Sequence, residues 1–155
     1  MSHAPAGELG PQHYRLMNFA VGIALLATLA PTWLTREFRD DLSLFSGIGL
    51  LGLSPEGKTP LRELGTFLFL MYIVLALGFL LTRPEKGAPV LMGATGFVAT
   101  VIVLAHRPSG TFRVHTDWTG APIVALGLWC IGTVVSIIAL RAARAGAARK
   151  ADTAS

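Results

Sequence analysis

At 155 residues the chain has room for one domain, yet 52% of it is hydrophobic and only 14% charged, against roughly 25% charged in an average soluble domain. A water-soluble fold this small has too much surface to cover with so few charges, so the composition asks for lipid as a second solvent. The formal charge of +4 arises from 13 basic and 9 acidic residues, and the bases sit in short connections and a C-terminal tail beside apolar runs. That placement points to anionic lipid headgroups as the neighbours of these bases and away from nucleic acid.

Residues 1–13 contain Gly, Pro and His without any period and read as a disordered tail. Four apolar runs follow, at 16–34, 64–82, 88–105 and 121–140, and none of them contains Asp, Glu, Lys or Arg. Each is about 18 to 20 residues long, and roughly 20 helical residues cross a hydrocarbon core. Backbone groups in lipid must be satisfied within the segment, so each run is expected to be helical. The first run is longer than the apolar region of a signal peptide and lacks an Ala-x-Ala cleavage site, so it reads as a retained helix. The expected architecture is an all-α membrane protein: a four-transmembrane-helix bundle over 14–141, with one long outer loop at 35–63, a second at 106–120, and a basic C-terminal tail at 142–155.

Punctuation supports these limits. Thr59-Pro60 offers a cap and a first-turn proline to the second run, and Arg83-Pro84 stops it. Pro89 and Pro122 fall near the starts of runs three and four, where a missing N–H costs little. Tyr14, Trp33 and Trp118 stand at run ends and are expected to anchor at the membrane interface. One side of the membrane then carries Arg15, Arg83, Lys86, Arg141, Arg144, Arg149 and Lys150. The other carries Arg36, Arg39, Lys58, Arg62, Arg107 and Arg113, diluted over long loops and interleaved with acids. The denser side is assigned to the cytoplasm, which makes the chain multi-pass in the cell membrane with both termini cytoplasmic.

Within the first loop, residues 42–53 form an apolar stretch too short to span. Leu42, Leu44, Ser46, Ile48 and Leu50 alternate as in a strand, while the glycines oppose a stable helix, so the stretch is interfacial, re-entrant or packed on the helix ends. The letters Gly47-x-Gly49-x-x-Gly52 match a dinucleotide fingerprint, but the βαβ context that such a site needs is missing, and the match is a coincidence of spacing.

Chemistry-bearing patterns are sparse. No ionisable residue stands at membrane depth, where one would mark a coupled transporter. Glu63, at the margin of the second run, is expected to be a first-turn carboxylate favoured by the helix dipole. His106, His115 and Asp117 share the second outer loop and read as solvated side chains in preference to metal ligands. Haem would want two histidines at equal depth, and His13 and His106 belong to opposite faces. Cys130, the single cysteine, lies inside an apolar run and reads as a small packing residue. Catalytic, cofactor-binding and metal-binding residues are therefore all expected to be none.

Small residues at helical intervals are the strongest signal inside the runs. Ala20, Ala24 and Thr28 form one stripe, Gly93, Gly96 and Thr100 a second, and Gly132 and Ser136 a third. Such stripes let helix backbones approach closely where no hydrophobic drive acts between helices. Packing within one chain is favoured over homo-oligomerisation. Asn18, Tyr72, Thr95 and Ser136 are polar groups inside the runs, expected to bond to neighbouring helices or backbone.

The segments Pro31-Thr32-Trp33, 46–52 (Ser-Gly-Ile-Gly-Leu-Leu-Gly) and Trp118 give the chain a layout that resembles small bacterial four-helix (tetraspan) integral membrane proteins of unknown function. The plan is also similar to that of claudin-type tetraspans, but the first loop lacks the cysteine pair of the claudin signature. The reading that follows is a non-catalytic integral membrane protein: a scaffold, accessory subunit or partner-binding module. Its partners would be the lipid bilayer and a membrane protein or second copy. The alternative is a small transporter or channel acting as a bundle or oligomer.

Overall fold

The computed structural model describes residues 10–38, 41–48, 50, 63–105 and 114–152. These form four helices, α1 (Pro11–Ala27), α2 (Glu63–Leu81), α3 (Ala88–Ala105) and α4 (Ala121–Asp152), and three strands, β1 (Thr32–Phe38), β2 (Asp41–Ser46) and β3 (Val114–Trp118). The protein is mostly helical with a small sheet, and two of the described helices, α3 and α4, are long and apolar enough to cross a membrane. The apolar part of α2 is shorter, Thr66–Leu81.

α1 packs on α2 and α4, and α3 packs on the other side of the same two helices. Neighbours run antiparallel. Going up α1 from Gly22 to Thr28, the partners on α2 fall from Leu80 to Tyr72. Going up α3 from Gly93 to Gly96, the partners on α4 fall from Thr133 to Trp129. A single 3₁₀ turn, Pro84–Lys86, joins α2 to α3 and touches α1, α3 and α4. Gly87 follows it at φ 75°, a left-handed conformation that glycine adopts without penalty.

The first helix departs from the expected 16–34 at both ends. It starts at Pro11, whose missing N–H is harmless at the first helical position, so residues 11–13 belong to a helix and not to a tail. It ends at Ala27 because Pro31 has no N–H to continue the ladder and turns the residue before it away from helical geometry. The last turn tightens through i→i−3 bonds from Leu29 to Leu26 and from Ala30 to Ala27. Trp33 and Leu34, counted with the apolar run, stand in β1 instead.

The all-α expectation is likewise corrected, because parts of both expected loops form one antiparallel sheet in the order β2-β1-β3. β1 is central, with Thr35 opposite Leu44 on one side and Asp117 on the other. A register shift between Thr32 and Leu34 marks a bulge at Trp33, which lets two successive residues, Trp33 and Leu34, both be buried. At the opposite end the helix does not stop with the apolar run at Leu140: α4 continues to Asp152, through most of the expected tail, and its 32 residues give a helix about 48 Å long.

Candidate functional site: the joint between helices and sheet

A helix that stops inside a protein leaves carbonyls without partners, and these must be satisfied from elsewhere. At the end of α1 the partners come from three elements. The Thr28 hydroxyl donates to the Leu25 carbonyl at 2.6 Å. The Tyr72 hydroxyl of α2 lies 2.8 Å from Thr28 Oγ1 and 3.1 Å from the same carbonyl, with one proton to share between the two acceptors. Trp33 of β1 donates its indole N–H to the Thr28 carbonyl at 2.5 Å. All of these side chains are buried. The bonds tie the sheet's central strand, the end of α1 and the middle of α2 into one joint.

Aromatic rings fill the space around it. Trp33 meets Phe69 and Tyr72 edge-on, with centroids 5.1 and 5.7 Å apart, and Phe69 stacks on Tyr72 at 5.8 Å. Tyr72 and Phe79 each meet Trp129 of α4 edge-on. Edge-to-face pairs of this kind add about 0.5–1.5 kcal/mol each beyond the area they bury. The Trp129 and Trp118 indole nitrogens are buried without a hydrogen-bond partner.

Gly47, just after β2, seats the sheet on the helix. A Cβ there would fall 2.7 Å from the Leu29 Cα, and the Gly47 N–H points to the Pro31 carbonyl at 3.4 Å. The glycine spacing that mimics a dinucleotide fingerprint thus contains one residue that is small because a backbone passes over it. On the other flank Thr119 bonds to β1 twice: its N–H donates to the Trp33 carbonyl at 3.0 Å and its hydroxyl to the Thr32 carbonyl. The same hydroxyl accepts from Ala121 N–H at 3.3 Å, which links the sheet to the start of α4.

Of the residues read as helix-packing stripes, Gly93, Gly96, Thr100, Gly132 and Ser136 are buried. Gly96 lies under the Trp129 indole, Gly93 against Thr133, and Gly132 between Phe79 and Val21. Thr100 turns its hydroxyl back to the Gly96 carbonyl at 2.7 Å, so it makes no polar bond to a neighbouring helix. Ser136 does cross helices: Asn18 of α1 donates to it at 3.1 Å in the buried interior. The first stripe divides, with Thr28 buried in the joint just past α1, Ala24 half-buried and Ala20 exposed. Thr95 is exposed. Gly22, outside the expected stripes, packs on Leu80 and the Ala76 carbonyl.

Of the three expected interface anchors, Tyr14 is half-buried in α1 and Trp118 half-buried in β3. Trp33 is 1% exposed, so it is a core residue, not an interface anchor, because the bulge turns its ring under the sheet. Glu63 opens α2, and His115 and Asp117 stand in β3 opposite Glu37 and Thr35. His106 lies outside the described residues, as does Thr59-Pro60. Among the described residues no three of His, Cys, Asp and Glu gather as a metal would need. The joint is built of hydroxyls, indoles, an aromatic stack and main-chain carbonyls, groups suited to holding two parts of a protein in register. Comparison with known proteins adds no precedent: no family model, curated protein or solved structure matches this chain.

Proposed function

We propose that this chain is a four-pass integral protein of the cell membrane, with its N- and C-terminal segments on the cytoplasmic side, and that it works without catalysis as a scaffold, accessory subunit or partner-binding module. The observation that carries this reading is the inverted distribution of polarity. Leu16, Phe19 and Ile23 of α1, Phe67, Leu70, Val74 and Leu77 of α2, Leu91, Val98 and Val101 of α3, and Ile123, Val124, Ile131, Val134 and Ile138 of α4 are all exposed. Asn18, Thr100 and Ser136 are buried among the same helices. Only 33% of the most apolar window of α3, and of α4, is buried, whereas the core helix of a soluble protein would be mostly covered. Large apolar side chains are exposed on all four helices, and hydrocarbon is the solvent that fits them.

α2 and α3 have 19 and 18 residues, lengths of about 29 and 27 Å that suit a bilayer core. The sheet then caps the outer end, and Leu42, Leu44 and Ile48 are exposed there, an apolar edge for a partner to cover. A transporter or channel within a single bundle is disfavoured, because Trp33, Phe69, Tyr72, Phe79 and Trp129 fill the interior where a hydrated path would run.

Purification in a mild detergent tests the proposal. A stoichiometric membrane-protein partner or a self-oligomer should co-purify, and Leu42→Asp with Leu44→Asp should release it. A monomer that recovers no partner, or ion or solute flux through purified protein in liposomes, would contradict it.

A further inference from the structure

We infer that the end of the protein remote from the sheet is a binding surface for anionic phospholipid headgroups, formed by Arg15, Arg83, Lys86, Arg141 and Arg144. The inference rests on the four-pass reading and adds a ligand class to it. These cations are far apart in the sequence and are brought together by the fold. Arg15 lies in the second turn of α1, and Arg83 and Lys86 flank or form the 3₁₀ turn, which packs on both α1 and α4. A Cβ placed on Gly87 would lie 3.7 Å from the Leu140 side chain, and the turn itself packs on α4, so Lys86 stands near the start of the α4 extension, where Arg141 and Arg144 lie one turn apart. All five are exposed. The turn is held in place by Pro84, which is buried, so the cations of the link are presented from a fixed base.

Charge balance selects the ligand. The described segments at this end, 11–15, 83–86 and 141–152, carry seven bases against two acids, Glu85 and Asp152. The three strands of the sheet carry one base, Arg36, against three acids, Glu37, Asp41 and Asp117. Among the described residues the basic excess therefore lies at the end remote from the sheet. Directly beside it are the exposed apolar side chains Leu16, Leu81 and Leu91, the last suited to acyl chains as the cations are to phosphate. A phospholipid satisfies both at once, whereas a soluble anion would satisfy the charges alone. Each such cation contributes on the order of a fivefold preference near an anionic surface, and the effect is screened over a Debye length.

Full-length protein reconstituted in phosphatidylcholine vesicles containing one fifth phosphatidylglycerol tests this, with retained lipids counted by native mass spectrometry and checked by spin-labelled lipid association. Phosphatidylglycerol should be retained about tenfold above its bulk share at low salt, and the preference should collapse in high salt. Replacing the five cations by Gln should abolish the preference, replacing them by Lys (Lys86 unchanged) should retain it, and Arg36→Gln at the sheet end should leave it alone. Equal retention of both lipids, or a Gln variant that inserts and keeps its selectivity, would overturn the inference while leaving the membrane reading intact. Stabilisation by inorganic phosphate alone to the same extent would overturn it too. Failure of the wild-type chain to enter vesicles at all would instead overturn the four-pass reading.

Discussion

At Gly96 a single methyl group separates a close helix contact from a collision, because a Cβ there would lie 2.6 Å from the Trp129 indole. Gly96→Ala should therefore destabilise the protein by about 1–3 kcal/mol, as overpacking of a filled core does. Gly127 on the next face of the same α4 has nothing within 4 Å, so Gly127→Ala should be neutral or stabilising by up to about 1 kcal/mol. Thermal unfolding in detergent, followed by tryptophan fluorescence, separates the two outcomes; equal shifts for both would mean that Trp129 does not rest on α3. Tyr72→Phe keeps the ring in its stack with Phe69 but removes the hydroxyl shared between Thr28 and the Leu25 carbonyl. It should cost on the order of 1 kcal/mol, and a double-mutant cycle with Thr28→Val should show coupling of a few tenths to about 1.7 kcal/mol. Glycines at helical spacing made Gly93, Gly96 and Gly132 legible in the sequence. The joint was not, because Thr28, Tyr72 and Trp33 lie 5 to 44 positions apart and only the termination of α1 brings them together.

Among the elements, the sheet is held by close approach more than by its own size. β2 is an edge strand, and Gly47 seats it on the last turn of α1. The obstacle to a side chain at Gly47 is the Leu29 backbone, which cannot rotate away, so Gly47→Ala should lift β2 off the helix. Hydrogen exchange should then show faster exchange of the β2 amides with little change in α3 and α4; uniform protection across the protein would contradict the seating. Strand character was readable in the alternation of Leu42, Leu44 and Ser46, but pairing was not. β3 comes from the second outer loop and lies more than 70 residues from its partner β1, and no local pattern encodes so distant a neighbour. The end of α1 is not legible in the sequence for a different reason: hydropathy runs on through Trp33 and Leu34, while Pro31 and the indole bond to the Thr28 carbonyl decide where the helix stops. Composition marked out α3 and α4 as helices apolar enough to cross a membrane, and stereochemistry set where α1 ends.

For the molecule as a whole, one proposed assignment governs the rest: apolar side chains are exposed on the helices while Asn18, Thr100 and Ser136 are turned inward, and the proposal gives the exposed faces to lipid. Under that proposal the sheet and the cationic end fall at the two membrane surfaces and the aromatic joint in the interior. Cys130 offers a native probe of this assignment, being the chain's single cysteine, exposed, and halfway along the apolar part of α4. A nitroxide attached to Cys130 of the reconstituted protein reports its solvent by electron paramagnetic resonance power saturation. An α4 that crosses the bilayer should give strong relaxation by molecular oxygen and almost none by a water-soluble nickel chelate, the signature of mid-bilayer depth. Relaxation by the chelate equal to that of an aqueous label would place α4 in water and contradict a membrane-spanning α4.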